Sequence, residues 1–236
     1  MTTLDVQTLP VPTTVRTDAP DTSGYRAIHE AMRVANQQLI DGLANADVRD
    51  PKRAAAIARW FRGYSDELRT HHHIEDQIFF PRLLERVPQY AVYAEALAGD
   101  HLQLDELIDA LRDALDRWAA STDASSATRA VLAEVTELAI ELRDFLAEHL
   151  AIEDADVLPM FEEHFDAAEY AELEQLAGKA ITLRQALFTV PWYMATVDAE
   201  TAGHTLREAP LPLKIVYKLT RRNYGRLVGT AFGSRS

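Results

Sequence analysis

In four segments of the chain, mostly apolar residues recur at alternating spacings of four and three. This is the pattern of a helix that buries one face, and we call each such row of residues a stripe. The four stripes run from Tyr25 to Leu43, from Ile57 to Ile78, from Leu97 to Trp118 and from Val131 to Asp156. Their mean spacing of 3.5 residues favours helices that pack side by side. Because the connections are fairly short, we expect an all-α protein built on an up-down antiparallel four-helix bundle.

Capping residues and composition suggest the boundaries of these segments. The first helix is expected from about residue 22 to Gly42, and the second begins at Asp50-Pro51, an N-cap followed by proline. Residues 1–21 show no period and predict a flexible N-terminal arm. Residues 22–166 would form the bundle, and residues 167–236 a basic C-terminal extension with additional helices, the first of them expected over residues 167–188.

Charge is divided unevenly along the chain. Residues 181–236 carry eight Lys and Arg against three Asp and Glu, whereas residues 1–180 carry 16 basic and 34 acidic side chains. An acidic body disfavours nucleic acid as a partner. The basic extension is expected to dock on the body of its own chain, on a second subunit of a homodimer, or on an anionic surface. Without a membrane span or a signal-peptide pattern, a cytoplasmic protein is expected.

The stripes contain six polar residues at positions that a bundle would bury. His29, His71, His101 and His149 each fall on a different stripe, and Glu75 and Glu153 follow their histidines by four residues, one helical turn. Buried polar groups are costly without a partner. A metal pair supplies that partner, and because the chain has no cysteine, its ligands must be nitrogen and oxygen donors.

Other polar residues near these positions have less certain roles. His72, His73 and Asp76 lie off the stripe, so we expect them, like Asp154, to face solvent or to support a ligand. Asp105 follows His101 by one turn and could be a ligand, a supporting acid or an exposed acid. Tyr25 precedes His29 by one turn and is expected to fill the core or to reach the metal. His72, Asp76, Asp105 and Tyr25 are therefore candidate extra ligands or supporting residues.

The ordered set of motifs resembles the hemerythrin-like proteins with a His-His-Glu cation-binding domain. The matching pieces span residues 22–165 and are Tyr25–Glu30, His71–Asp76 with Phe80-Pro81, Asp100-His101 and Glu148–Asp154. The resemblance implies a non-haem di-iron centre bridged by two carboxylates and an oxygen atom. It implies that His29 and His71 serve one iron, that His101 and His149 serve the other, and that Glu75 and Glu153 bridge.

Two positions depart from the oxygen-carrying hemerythrins. Asp105 stands where their third helix has a second histidine. Glu153 follows His149 by four residues, whereas their fourth helix has an aspartate five residues after its histidine. The spacing found here is similar to that of the iron-sensing hemerythrin domain of an F-box protein. With one imidazole replaced, we expect a site that favours ferric iron and has room for peroxide or nitric oxide.

Two classes of function follow from these expectations. The first is a di-iron oxidoreductase acting on dioxygen, hydrogen peroxide or nitric oxide in stress defence, with no catalytic residue beyond the metal ligands. The second is an oxygen- or iron-binding protein, such as a carrier, store or sensor, that works without turnover. The six polar stripe residues disfavour a purely structural bundle.

Overall fold

The computed structural model describes residues 18–121 and 123–233, and these residues form helices and no strands. The long helices are α1 (Ser23–Ala44), α2 (Pro51–Ile74), α4 (Ala91–Ala120) and α5 (Ser126–Ile152), with the short α3 (Phe80–Arg86) and α6 (Leu158–His164) continuing α2 and α5. The all-α prediction is therefore confirmed. Most of the predicted N-terminal arm, residues 1–17, lies outside the described residues.

Side-chain caps fix where the bundle helices begin. The Asp50 carboxylate accepts a hydrogen bond from the Arg53 amide at 3.0 Å, with Pro51 in the first turn, as the sequence predicts. Ser125 caps α5 in the same way through the Thr128 amide, at 3.2 Å. Each cap satisfies an amide that the first helical turn leaves without a partner.

The helices surround one apolar core in which α4 packs between α5 and α2, and α1 packs on α5. Trp60, Phe61, Tyr64, Leu111 and Trp118 are among its fully or almost fully buried side chains. Because α1 and α2 stand further apart than the other neighbours, the groove between them accepts helices from the C-terminal extension.

A π-helical turn follows each His-Glu motif. Residues Glu75–Phe79 and Glu153–Val157 form these turns, and Pro81 and Pro159 come directly afterwards in the first turn of α3 and α6. The sequence predicts a kink or break at Pro81; the structure places the irregularity in the preceding turn. A proline lacks an amide hydrogen and its ring crowds the carbonyl four residues earlier, and the wider turn accommodates both effects.

The extension forms α7 (Ala167–Ala180), α8 (Leu183–Thr196), α9 (Ala199–Glu208) and α10 (Leu211–Phe232). The sequence predicted one helix over 167–188, but Thr182 and Gln185 form a capping box that starts α8 separately. Intramolecular docking is observed, since α8 and α10 pack on α2 and contact α1. None of the helices in the described part of the chain is both long and apolar enough to span a membrane.

Aromatic side chains close the end of the bundle that holds the His-Glu motifs. Phe79, Phe161 and Tyr170 contact one another edge to face, with ring centroids 5.7–5.8 Å apart. Tyr170 comes from α7, so the first helix of the extension belongs to this closure, and packing is continuous across residues 166 and 167. A division of the chain at residue 167 thus stays a prediction.

Candidate metal centre

The six polar residues predicted from the stripes lie together in the interior, each no more than 8% exposed. The histidines form two pairs. The Nε2 atoms of His29 and His71 are 3.2 Å apart, and those of His101 and His149 are also 3.2 Å apart. Two imidazole nitrogens that converge in this way present their lone pairs to a common point, as two ligands of one ion do.

Glu75 extends from one histidine pair to the other. Its Oε1 lies 2.9 Å from His71 Nε2 and 4.0 Å from His29 Nε2, while its Oε2 lies 3.6 Å from His101 Nε2. The two oxygen atoms of one carboxylate therefore serve two different pairs.

Glu153 makes the reciprocal connection. Its Oε1 lies 3.3 Å from His149 Nε2 and 4.0 Å from His101 Nε2, and its Oε2 lies 3.4 Å from His29 Nε2. With Glu75 it gives two carboxylates that both span the space between the histidine pairs.

Three acids orient the histidines from outside. Asp154 lies 2.8 Å from Nδ1 of His29, Asp76 lies 2.9 Å from Nδ1 of His101, and Asp100 lies 3.4 Å from Nδ1 of His149. Each acid favours a proton on Nδ1 and leaves Nε2 free to act as a metal ligand. The sequence leaves Asp76 and Asp154 open between facing solvent and supporting a ligand, and in the structure both lie against a histidine.

The site also contains Asp100, which was not predicted as a site residue and stands in the sequence only as the first residue of the Asp100-His101 motif. It directly precedes His101 but supports His149 on the neighbouring helix. Asp76 and Asp154 each directly follow a stripe glutamate, and the carboxylate of each contacts a histidine on another helix. An acid next to a stripe residue is thus the sequence signal for a supporting role across a helix pair.

His72 does not face solvent, contrary to that part of the sequence-based expectation. It is 4% exposed, and its ring stacks on that of His101 with centroids 4.4 Å apart. Neither ring nitrogen has a hydrogen-bond partner. Burial, with the neighbouring charge of His101, lowers the pKa of His72 well below its ordinary value, so the ring is neutral. A neutral imidazole with free nitrogens is the form that binds metals.

The remaining candidates fall into two groups. Tyr25 is buried and donates its phenolic hydrogen bond to Oε1 of Glu75. Asp105 lies outside the cluster, half exposed and paired with Arg69 at 3.0 Å, and His73 is exposed. The structure thus brings Tyr25 to the site and leaves Asp105 and His73 away from it.

Protonation of the metal-free site follows from the carboxylates around it. Burial lowers the pKa of His29, but the hydrogen bond between its ring and Asp154 and the negative charges of Glu75 and Glu153 outweigh it and raise the pKa to about 9. Burial also lowers the pKa of His149, but the negative charge of Glu153, whose Oε1 lies 3.3 Å from Nε2, outweighs it and raises the pKa to about 9. Burial raises the pKa of Tyr25 well above its ordinary value, so its hydroxyl remains a donor.

The buried polar atoms of this site lack enough hydrogen-bond partners. Oε2 of Glu75 and both carboxylate oxygens of Glu153 have none, and neither have the ring nitrogens of His72. Such orphaned groups are rare in folded proteins, and a cation bound among them would give them a partner. The ligand atoms of two groups lie within 4.8 Å of one another: His29, His71, Glu75 and Glu153 form the first, and His72, Glu75, His101 and His149 the second. The donors therefore fit a metal site.

Comparison with known proteins supports this description. The family model of the hemerythrin HHE cation binding domain matches residues 22–161, which contain every candidate ligand. Searches of curated proteins and of solved structures gave no match. The matched region covers more than half of the chain, and the chain belongs to the hemerythrin HHE cation-binding family.

Proposed function

We propose that this protein holds two iron ions between α1, α2, α4 and α5 and reacts with dioxygen, hydrogen peroxide or nitric oxide in defence against oxidative and nitrosative stress. The observation that carries the proposal is the pair of buried carboxylates, Glu75 and Glu153, each spanning both histidine pairs. A carboxylate that spans two cation positions ties two ions together, and two adjacent irons supply redox chemistry.

The donor set supports iron over zinc. Structural zinc sites use four tetrahedral ligands, often with thiolates, whereas this site offers five imidazoles and two carboxylates and the chain has no cysteine. Nitrogen and oxygen donors in this number suit two iron ions of higher coordination number. His29 and His71 would hold one ion, His101 and His149 the other, with Glu75 and Glu153 bridging.

The imidazoles are unequally divided if His72 also binds. The second group then has three histidines, whereas the first has two, His29 and His71, with Tyr25 beside them. An external ligand would meet fewer protein ligands on the Tyr25 side. The Tyr25 hydroxyl already donates to Glu75 there and is the nearest phenol to a ligand on that side.

Burial limits what can reach the centre. His29, Glu75 and Glu153 are fully buried, and the aromatic residues of α3, α6 and α7 close the end of the bundle beside them. A substrate with a large organic group would require the bundle to open. Diatomic molecules and hydrogen peroxide are small enough to diffuse through side-chain fluctuations, which supports them as the reactants.

One observation favours an alternative without turnover. The sequence predicts one imidazole fewer than in oxygen carriers, because Asp105 occupies a histidine position. The buried His72, with both ring nitrogens free, offers the lacking imidazole from α2. If His72 binds, the centre is more completely coordinated. A more complete site favours reversible binding, as in an oxygen carrier, an iron store or an iron or oxygen sensor.

The test is metal content followed by turnover on one preparation. Protein expressed in iron-rich medium should contain about two irons per chain and should consume hydrogen peroxide or nitric oxide catalytically. Glu153→Ala serves as the control, since it should lose iron and turnover together. Zinc alone at one ion per chain would contradict the proposal. Two irons with a reversible colour change in air and no turnover would favour the alternative.

A further inference from the structure

A cavity lies within the C-terminal extension, away from the metal centre. Its volume is about 410 Å³, and it is enclosed by the end of α7, by α8, by the second half of α9 and by the beginning of α10. Val190, Met194, Leu206 and Val216 are among its lining residues. The volume falls within the range of about 300–1,000 Å³ that is usual for small-molecule sites.

The cavity offers an apolar surface whose side-chain hydroxyls are already engaged. Four lining residues carry a hydroxyl. Thr189 donates to Glu67, Thr182 donates to Gln185, and the hydroxyls of Tyr193 and Thr205 lie beside each other. A ligand inside the cavity therefore meets methyl and methylene groups and gains stability by leaving water, not by hydrogen bonds.

Large apolar side chains remain exposed around the cavity. Leu183 and Leu211 are 70% and 69% exposed, and the lining residues Ile181 and Leu213 are also exposed. Isolated exposed leucines are ordinary on protein surfaces, but a group of them around an apolar cavity marks an interaction site.

The charges beside this cavity are mostly positive. Lys179, Arg207 and Lys214 are each next in sequence to a lining residue, and Glu208 is the one acid in such a position among the described residues. Lys214 Nζ donates to the backbone carbonyl of Arg207 at 2.8 Å, which places its ammonium where α9 meets α10, at the border of the cavity. Arg184 also follows a lining residue, but it lines a separate cavity together with residues of α2. The chain as a whole has a net charge of −13, so this local excess of cations is not a general property of the protein. An apolar cavity with a cationic border is complementary to a molecule with an apolar chain and an anionic head.

We propose that this cavity binds a long-chain fatty acid, with its alkyl chain between α8, α9 and α10 and its carboxylate beside Lys214, where α9 meets α10. The two alternatives for this surface are an anionic bilayer and a second copy of the chain. The concave shape of the cavity favours the fatty acid, because a flat bilayer or a helix face would leave the cavity unfilled.

The test uses the full-length, iron-loaded protein and dansyl-labelled undecanoic acid as the fluorescent probe. Binding should be saturable at one probe per chain, and hexadecanoic acid should displace the probe. Lys214→Glu should weaken the binding of hexadecanoic acid several-fold more than the binding of the neutral hexadecanol. Absence of saturable binding, or equal weakening of the acid and the alcohol, would overturn the proposal.

Two substitutions on α8 form a matched pair. Val190→Trp fills the cavity and should weaken probe binding about tenfold. Leu187→Trp adds the same ring at an exposed position that does not line the cavity, and should leave binding unchanged. If Val190→Trp folds poorly by circular dichroism, Met194→Trp tests the same volume. Probe binding unaffected by a folded cavity-filling variant would place the probe elsewhere and contradict the proposal.

Two further measurements separate the alternatives. The protein could sediment with phosphatidylglycerol vesicles equally well with and without Val190→Trp and fail to bind the free fatty acid. That result would overturn the proposal in favour of a membrane surface. Concentration-dependent dimerisation that blocks the probe in wild-type protein would overturn it in favour of a second copy. A monomeric protein that binds hexadecanoic acid and does not sediment with the vesicles would support the proposal.

Discussion

Glu75 and Glu153 are related by a reciprocal arrangement. Each glutamate approaches the histidine of its own motif with one oxygen, at 2.9 Å and 3.3 Å, and turns its other oxygen towards the pair that contains the other motif's histidine. The two repeated motifs, on α2 and α5, thus form one centre from two half-sites, and neither half-site holds a complete ligand set alone.

The first prediction concerns loss of iron. Glu75→Ala and Glu153→Ala should each remove most of the iron, because a carboxylate that spans both positions supports both ions. Asp105→Asn should keep the full content, since Asp105 pairs with Arg69 outside the cluster. Iron per chain measured by elemental analysis decides the comparison. A similar loss in Asp105→Asn would show that Asp105 moves into the site when metal is bound.

The second prediction uses His72 to separate metal binding from core packing. His72→Phe should raise the stability of the metal-free protein by about 1–3 kcal/mol, because it removes two buried nitrogens that have no partner. If His72 is a ligand, the same variant should bind less iron and lose its advantage once iron is added. Denaturation curves with and without iron measure both effects.

If His72→Phe kept its full iron content and gained the same stability with and without iron, His72 would only stack on His101 and would not bind the metal. His73→Phe is the matched control, because His73 is the next residue but is exposed. It should change neither the iron content nor the stability of the metal-free form.

The histidines on the four stripes were predictable because a 3.5-residue period fixes which face of each helix is buried. His72 was a candidate ligand or supporting residue, but its burial was not predicted because only one stripe of α2 was followed. A second one passes through Ala54, Ala58, Phe61, Ser65, Leu68 and His72, all buried. Small alanine and serine side chains made it look polar or neutral, although they mark where α2 packs closely on its neighbours. A helix contacted on several sides buries more than one stripe.

The two π-helical turns and the supporting acids were less accessible from sequence. A proline predicts irregular backbone nearby, but not which turn widens. The partners of Asp76, Asp100 and Asp154 lie on other helices, 25 to 125 residues away. Such pairings depend on helix order and rotation, which the period of a single stripe does not give.

The third prediction is the pH dependence of the metal-free protein. The pKa of His29 and that of His149 are about 9 in the fold, against about 6.5 in an unfolded chain. A raised pKa in the folded state means that the folded protein holds protons more tightly. The stabilisation is complete below about pH 6.5 and is lost as the pH rises through about 9.

Metal removal should therefore lower the melting temperature, and more so at pH 9 than at pH 6.5. Iron-loaded protein should lack this particular decline, because bound imidazoles no longer take up protons. Thermal unfolding of both forms across this pH range provides the measurement. A metal-free form whose stability does not change between pH 6.5 and 9 would contradict the protonation assigned to the two histidines.

The last prediction concerns docking of the extension on the bundle. A Cβ atom at Gly63 would stand well inside van der Waals contact with the Phe188 ring of α8, whereas one at Gly99 on α4 would meet nothing within 4 Å. Gly63→Ala should destabilise the protein by about 1–3 kcal/mol through overpacking, although alanine is the better helix former. Gly99→Ala should stabilise it by up to about 1 kcal/mol.

Chemical denaturation of both variants tests whether the two substitutions change the free energy of unfolding in opposite directions. Because Thr189 and Gln185 of α8 bond to Glu67 and Thr70 of α2, a displaced α8 also exposes the segment that leads to His71. Gly63→Ala should therefore speed proteolysis within 181–210 and raise the rate of iron loss to a chelator, and Gly99→Ala should do neither. If both variants gain stability alike, α8 does not rest on α2 in solution, and α10 holds the extension on α2 through the hydrogen bonds of Trp60 with Tyr224 and of Arg53 with Ala231.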